Sequence, residues 1–362
     1  MTVLEPLPHE GGVPYDAAAV LDEETRLRAA GSKLRARDMA RTIGVPEAAL
    51  VEAHRLQGKA VALRRPGGTA GYGSLLNALA DAGDMMALTR NEACVSETHG
   101  VYGTPSFHGT MGQVLGEIDL RLFLRHWAHG YAVTEETKSG ERVSLQFFDG
   151  AGDAVHKIYA IDGTDRDRLD ALVANHADPE ALPALYAPPP PEPAELPDEE
   201  IDVEGLRCGW KGLQHSHDFF GLLRDFRVTR RQAMRLGAPE FTRRVRSSAA
   251  EHVLMEAASR GVPLMIFVGN RGCMQIFSGT VSRVARVNGW MNVLDPRFNL
   301  HLRDDLIDEA WVVRKPSARG DVHALELFDA DGFCFAQFFG ERKPGTTERG
   351  DWRALVTALE WT

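Results

Sequence analysis

The stretch Leu145–Ala160, LQFFDGAGDAVHKIYA, and the stretch Leu325–Gly340, LELFDADGFCFAQFFG, are two copies of one pattern. Phe148–Asp149, Gly152 and Tyr159 of the first align with Phe328–Asp329, Gly332 and Phe339 of the second, all separated by 180 positions. Each copy reads as strand, Gly/Asp turn, strand. Further out, ARTIGVPEAAL from Ala40 matches AMRLGAPEFT from Ala233, and NEACV from Asn91 matches NRGCM from Asn270. Matches at nearly constant spacing imply an internal duplication. Each copy opens with helical periodicity and passes into strand-like runs. That grouping predicts an α+β fold rather than alternating βαβ units.

Between the copies lies APPPPEPAELPDEE, residues 187–200, rich in Pro and acid and unable to build a core. It reads as a stiff, partly extended linker. The first repeat is therefore placed at 25–186 and the second at 201–362. The second contains PLMIFVGNRGCMQIFSG, a hairpin around Gly269–Asn270–Arg271–Gly272. Its glycines invite comparison with a phosphate loop, but the Lys-Ser/Thr ending and the following helix are missing, so it reads as a turn.

Composition narrows the function classes. The chain has 362 residues, 44% apolar and 25% charged, with a formal charge of −10. An acidic surface disfavours nucleic acid as the main partner. No apolar run approaches the length of a membrane span, and MTVLEPLPHEGGVPYD at the start lacks the pattern of a secretory signal. Cys94, Cys208, Cys273 and Cys334 are scattered without a CxxC pair, which argues against a zinc ribbon or disulfide framework. Cys94 and Cys273 fall at equivalent strand positions and read as small core residues. These features together predict a cytoplasmic protein with reduced thiols.

The chemistry-bearing stretch is WKGLQHSHDFF, residues 210–220. On a regular helix Trp210, Leu213, His217 and Phe220 form one stripe, and His215, Phe219, Leu222 and Phe226 another. The two histidines then diverge and cannot share a metal unless the segment unwinds. A histidine on such a stripe can be a satisfied core residue; an imidazole among aromatics also suits a haem iron. Periodicity leaves both open. Just beyond, Thr229 with Gln232 fits a capping box, so a helix starts there. Arg230 and Arg231 in its first turn oppose the helix dipole, and such an end suits a carboxylate. In DLRLFLRHW, residues 119–127, Leu120, Leu122 and Leu124 point one way and Arg121, Phe123 and Arg125 the other.

Taken together, these residues resemble the HemS/HmuS/ChuS-type haem-handling proteins, also called hemin-degrading factors. The resemblance runs from about residue 25 to the end, through MALTRNE, DLRLFL, WxxLxxxHxFF, VTRRQA, IFVGNRGCMQIFSG, GWMNVLDPRFNLHL and EAWVVRKP. It implies that each half is a large antiparallel sheet with packed helices. It implies one haem b, held between a helix of the second half and residues of the first. His217 is then the axial iron ligand. Arg121 stands on the opposite haem face with Phe123 beside the macrocycle, and Arg230, Lys315 and Arg342 lie near the haem or its propionates. Phe339 takes a position where some relatives have tyrosine, and Ser96 one where some have histidine. The flanking His215 is not general to the motif; a packing or surface role is the simpler reading for it.

Two functions share such a pocket. One is a carrier of bacterial haem uptake that receives haem and passes it on. The other is a haem-degrading enzyme for which haem is cofactor and substrate, with Arg121 as the distal residue. Family analogy implies a haem-uptake transporter and a downstream haem oxygenase as partners. A third reading is a metal-free duplicated binding module.

Overall fold

The repeated Phe-Asp turn is dictated by its own residues. In a computed structural model, which describes residues 15–65, 71–137, 140–188, 194–343 and 345–361, Asp149 Oδ1 accepts from the backbone N–H of Ala151 (2.9 Å) and Asp153 (3.0 Å). Asp329 Oδ1 accepts from Phe333 N–H at 2.9 Å. Gly152 and Gly332 follow at φ +83° and +84°, where only glycine sits without strain. The N-terminal stretch read for a secretory signal lies, through residue 14, outside the described residues, as do linker residues 189–193.

Two compact units emerge. Unit 1 comprises Met1–Arg90, Glu97–Pro191 and Asn270–Gln275; unit 2 comprises Asn91–Ser96, Glu192–Gly269 and Ile276–Thr362. Unit 1 carries helices α1 (Ala17–Ala29), α2 (Ala36–Ile43), α3 (Glu47–Leu56), α4 (Gly73–Ala78) and α5 (Arg166–His176). The strands of the first copy are β1 (Ala60–Ala62), β2 (Gly83–Arg90), β3 (Cys94–Val101, whose first three residues belong to unit 2), β4 (Ser106–His108), β5 (Met111–Val114), β6 (Asp119–Phe123), β7 (His129–Thr137), β8 (Gly140–Phe148) and β9 (Ala154–Thr164). Unit 2 carries α6 (Val203–Lys211), α7 (Asp218–Asp225), α8 (Arg230–Gly237), α9 (Ala249–Arg260) and α10 (Gly350–Thr357). The strands of the second copy are β10 (Thr242–Val245), β11 (Leu264–Gly269), β12 (Cys273–Gly279, whose first three residues belong to unit 1), β13 (Val284–Val287), β14 (Trp290–Asp295), β15 (Phe298–Leu302), β16 (Glu309–Lys315), β17 (Val322–Phe328) and β18 (Cys334–Gly340).

The topology repeats as the sequence does. Strands run β1-β7-β8-β9-β2-β3 in the first copy and β10-β16-β17-β18-β11-β12 in the second. The β8–β9 pair sets Gln146 opposite Lys157, and β17–β18 sets Glu326 opposite Gln337, the same register 180 positions on. Even the irregularity is duplicated, between Phe147 and Phe148 and between Leu327 and Phe328. This bears out the α+β duplication with large antiparallel sheets. Cys94 and Cys273 are both fully buried. Among the described residues, no helix is long and apolar enough to cross a membrane.

Two equivalent asparagines close the short exchanged segments. In unit 2 the Asn91 amide donates to Gly269 O and Phe335 O, both at 2.9 Å, while its Oδ1 accepts from Ala93 and Cys94 N–H. In unit 1 the Asn270 amide donates to Arg90 O (2.9 Å) and Val155 O (2.8 Å), and its Oδ1 accepts from Gly272 and Cys273 N–H. The Trp127 indole adds a bond to Gly272 O at 2.8 Å. Each half-buried side chain thus satisfies four backbone groups. Truncation leaves those groups without partners, each costing roughly 1–3 kcal/mol before relaxation. Asn270→Ala is expected to lower the unfolding free energy by about 2–4 kcal/mol in urea denaturation, with Asn91→Ala close behind.

Candidate functional site

The helix expected over residues 210–226 is broken. α6 ends at Lys211, residues 212–217 form a turn, and α7 begins at Asp218. Gly209 and Gly212 weaken the helix at that point. Asp218 then decides the matter: its Oδ2 accepts from His215 N–H at 2.8 Å and Gln214 N–H at 3.3 Å. A carboxylate holding backbone donors three and four residues earlier favours a turn over another helical coil, and at the start of α7 it suits the dipole. The two-stripe geometry therefore gives way to an unwound segment. Phe219 is buried and packs 4.6 Å from Trp210 between ring centroids. Phe220 is 61% exposed. His215 and His217 are both exposed, and neither imidazole has a hydrogen-bond partner among the described residues, which leaves the ring nitrogens of His217 open to a metal.

α8 starts as the capping motif predicts, but only half of the box forms. Thr229 Oγ1 accepts from Gln232 N–H at 3.0 Å. The Gln232 amide turns to Leu196 O and Asp198 Oδ1, both at 2.7 Å. The acid at this helix end is Glu195 of the linker, which accepts from Thr229 Oγ1 at 2.5 Å and pairs with Arg235 at 3.1 Å and Arg231 at 3.7 Å. Sequence reasoning assigned the favourable charge there to a ligand; the linker supplies one of its own.

Arg230 turns inward instead. Its Nε and Nη2 donate to the two oxygens of Glu326 at 2.6 and 2.8 Å, and Nη2 also to Gln337 Oε1 at 3.0 Å. Lys315 Nζ donates to Glu326 Oε1 at 2.6 Å. Glu326 is completely buried and Lys315 nearly so. Burial alone would raise the Glu326 carboxyl, but the two cations hold it down at about 2. Burial pushes the Lys315 ammonium below its usual range, with Glu326 opposing, and burial pushes the neighbouring Cys334 thiol up to about 12.

Aromatic rings wall this cluster. The Arg230 guanidinium lies 5.5 Å from the Phe219 centroid and 5.4 Å from that of Phe220. Lys315 Nζ is 4.6 Å from Phe219 and 6.0 Å from Phe339, which in turn packs on Phe267. Two cations share one carboxylate, so the cluster carries a net positive charge of one. Arg342 follows β18, half-buried.

The structure thus brings Arg230, Lys315 and Phe339 together around Glu326. Sequence reasoning missed Glu326 and Gln337; the pairing of β17 with β18 was legible, but not that both faces of β17 are buried.

In unit 1, β6 ends at Phe123, and residues 124–126 turn into a 3₁₀ coil, shorter than the alternating run expected. Leu120 and Leu122 are buried, while Arg121 and Phe123 lie on the more open side. Arg121 Nη1 pairs with Asp119 and also donates to Leu120 O at 3.0 Å. Ser96 is fully buried. A cavity of about 200 Å³ in unit 1 is lined by Lys59, Thr134, Glu141, Arg166 and Asp170 among others; none of the expected site residues borders it.

Known proteins match this chain over nearly its whole length. The family model described as the haemin-degrading HemS.ChuX domain matches twice, at residues 44–176 and 227–359. The hemin transport protein HmuS of Yersinia pestis is 39% identical over 332 residues, covering 90% of this chain and 92% of that one. The solved structure of holo-PhuS, a heme-binding protein from Pseudomonas aeruginosa, is 41% identical with a TM-score of 0.91, covering 96% of this chain and all of that one. The heme degrading enzyme ChuS of Escherichia coli O157:H7 is 35% identical with a TM-score of 0.88, covering 95% and 100%.

The buried carboxylate makes stability depend on pH in a defined direction. Its folded value, about 2, lies below the 4.5 of a free glutamate. The stabilisation is therefore complete above about pH 5 and is lost as pH falls toward 2, amounting to roughly 3 kcal/mol. In urea titrations, the stability gap between wild type and Glu326→Gln is expected to narrow steadily through that window. A gap that stays constant with pH contradicts the assignment.

Proposed function

Because this chain belongs to the family of the haemin-degrading HemS.ChuX domain, we propose that it binds one haem b and holds its iron through His217, for transfer to an acceptor. The observation that carries this reading is the exposed imidazole of His217, free of any partner among the described residues, on an unwound turn beside Phe220. A single imidazole is a poor site for a bare ion but suffices for iron already held by four pyrrole nitrogens. The exposed face of Phe220 provides apolar surface for a flat macrocycle. The net positive charge at Arg230, Lys315 and Glu326 suits a propionate, and Arg342 lies on the same unit. Arg121 and Phe123 are assigned to the haem pocket on the family resemblance.

His217 would donate an imidazole nitrogen to the iron, while Phe220 and Phe339 shield the ring from water. Arg230 and Lys315 would orient the haem by its carboxylate edge. A haem-uptake transporter as donor and a haem oxygenase as acceptor complete the proposed route, with the protein acting in the cytoplasm.

An absorption titration with hemin tests the assignment. Wild type is expected to give a sharp Soret band at one equivalent, and His217→Ala to lose that spectrum or weaken binding roughly tenfold or more. His215→Ala is the matched control and is expected to leave the spectrum unchanged. If the His215 variant has the larger effect, the ligand has been misassigned. No Soret complex in wild type leaves the metal-free binding module as the remaining reading.

A second reading, haem degradation, is favoured by the 35% identity to ChuS, described as a heme degrading enzyme. It is separated from the carrier by supplying the haem complex with a reductant and oxygen, with and without catalase. Loss of the Soret band despite catalase, with a defined tetrapyrrole product, is the enzyme's outcome. Bleaching abolished by catalase is the carrier's. For the enzyme, Arg121→Ala is expected to slow product formation at least tenfold.

A further inference from the structure

Glu326 lies at the centre of the cationic cluster, and nothing in the reading above gives it a role. Its two oxygens take Arg230 Nε, Arg230 Nη2 and Lys315 Nζ at 2.6, 2.8 and 2.6 Å. Gln337 takes a second bond from Arg230 Nη2 at 3.0 Å. These bonds consume one edge of the guanidinium and one N–H of the ammonium. Arg230 Nη1 and the other two N–H groups of Lys315 have no acceptor among the described residues. The donors left over are thus held in fixed directions, next to one uncancelled positive charge and against the rings of Phe219, Phe220 and Phe339.

The duplication provides an internal comparison. At the positions 180 residues earlier, in the same strand register, Glu326 becomes Gln146, Lys315 becomes Glu135 and Gln337 becomes Lys157. There the buried lysine pairs with Glu47 of α3 at 2.5 Å, with the Arg90 cation also acting on it, so the carboxylate comes from a helix and not from the neighbouring strand. At these three strand positions, the carboxylate that joins two cations is itself part of the sheet only in the second copy, where Glu326 stands between Arg230 and Lys315. The same register is thus closed in the first copy without a carboxylate on the strand that corresponds to β17, where Gln146 stands.

We propose that Glu326 is a positioning residue of the haem site: it holds Arg230 and Lys315 so that their remaining N–H groups donate to one free carboxylate of the ligand. The inference rests on the haem reading and deepens it, by making selection for a free propionate the task of this buried acid. Without the carboxylate, Arg230 is free to swing toward solvent, and Lys315, almost wholly enclosed, loses the partner that keeps an ammonium tolerable there. Both donors then cease to present a fixed edge to an incoming anion.

The test compares hemin with hemin dimethyl ester, whose propionates are blocked, binding to the full-length chain. Wild type is expected to prefer hemin by roughly tenfold or more, the worth of a charge-assisted contact. In Glu326→Gln that preference is expected to drop to about threefold or less, with the Soret position of the hemin complex unchanged because His217 is untouched. Glu326→Asp keeps the charge balance and so guards against a folding defect. It withdraws the oxygens by one methylene and is expected to lose discrimination as well. A preference that stays at the wild-type level, or rises, in a folded variant overturns the proposal. Failure of wild type to form any Soret complex would instead remove the haem reading on which the proposal stands. A wild type that binds both porphyrins equally would overturn the proposal while leaving that reading intact.

Discussion

An asparagine amide saturating four backbone groups at once is the constraint on which this architecture turns. In each unit a tight turn brings two carbonyls and two N–H groups together, and a short polar side chain with two donors and a two-lone-pair acceptor is the group that can serve them all. Asn91 does this in unit 2 and Asn270 in unit 1, with matching partners. Aspartate would lack the donors and glutamine would overreach, so the demand selects one residue type. The segments Asn91–Ser96 and Asn270–Gln275 thereby pack with the unit opposite to their flanking sequence. Strands β2, β3, β11 and β12 begin or end at these turns, so the order of both sheets hangs on them.

Once topology and register are fixed, the two copies can differ only in what their side chains do. Positions 135, 146 and 157 carry Glu, Gln and Lys, whereas 315, 326 and 337 carry Lys, Glu and Gln. The same pleated surface therefore holds a lysine paired with a helix carboxylate in unit 1, and in unit 2 a strand carboxylate shared by two cations, with one positive charge to spare. A buried ion pair contributes little beyond satisfying itself. An unbalanced one is an invitation to an anion, and it stands in the half whose α6–α7 turn presents an imidazole.

How much of this was legible in the sequence follows from the range of the interactions involved. The duplication, the Phe-Asp-turn hairpins, the start of α8 and the buried cysteines rest on local patterns, and each is found where the sequence places it. Glu326 was not legible. In LELF it reads as the solvent side of an alternating strand, but β17 is buried on both faces, and its partners Arg230 and Lys315 come from other elements. The break in the helix was hidden for a related reason. Periodicity counts apolar residues, whereas the turn at 212–217 is decided by Asp218 taking backbone donors that a continuous helix would have used. Likewise, no spacing rule reveals that Glu195 of a proline-rich linker returns to serve the N-terminus of α8.

The break matters because of what a regular helix would have done to His217. On a continuous helix, α6 running into α7, its ring would lie along a stripe with Trp210 and Leu213, both of which are buried. An imidazole there would need an internal hydrogen-bond partner and would be closed off from solvent by the packed layer. Unwinding carries the residue out of the packed layer while Phe219, two positions on, still anchors the segment against Trp210. Asp218 thus secures the turn through backbone bonds alone and leaves both imidazoles untouched. The backbone of the turn is thus held by contacts that do not reach either ring.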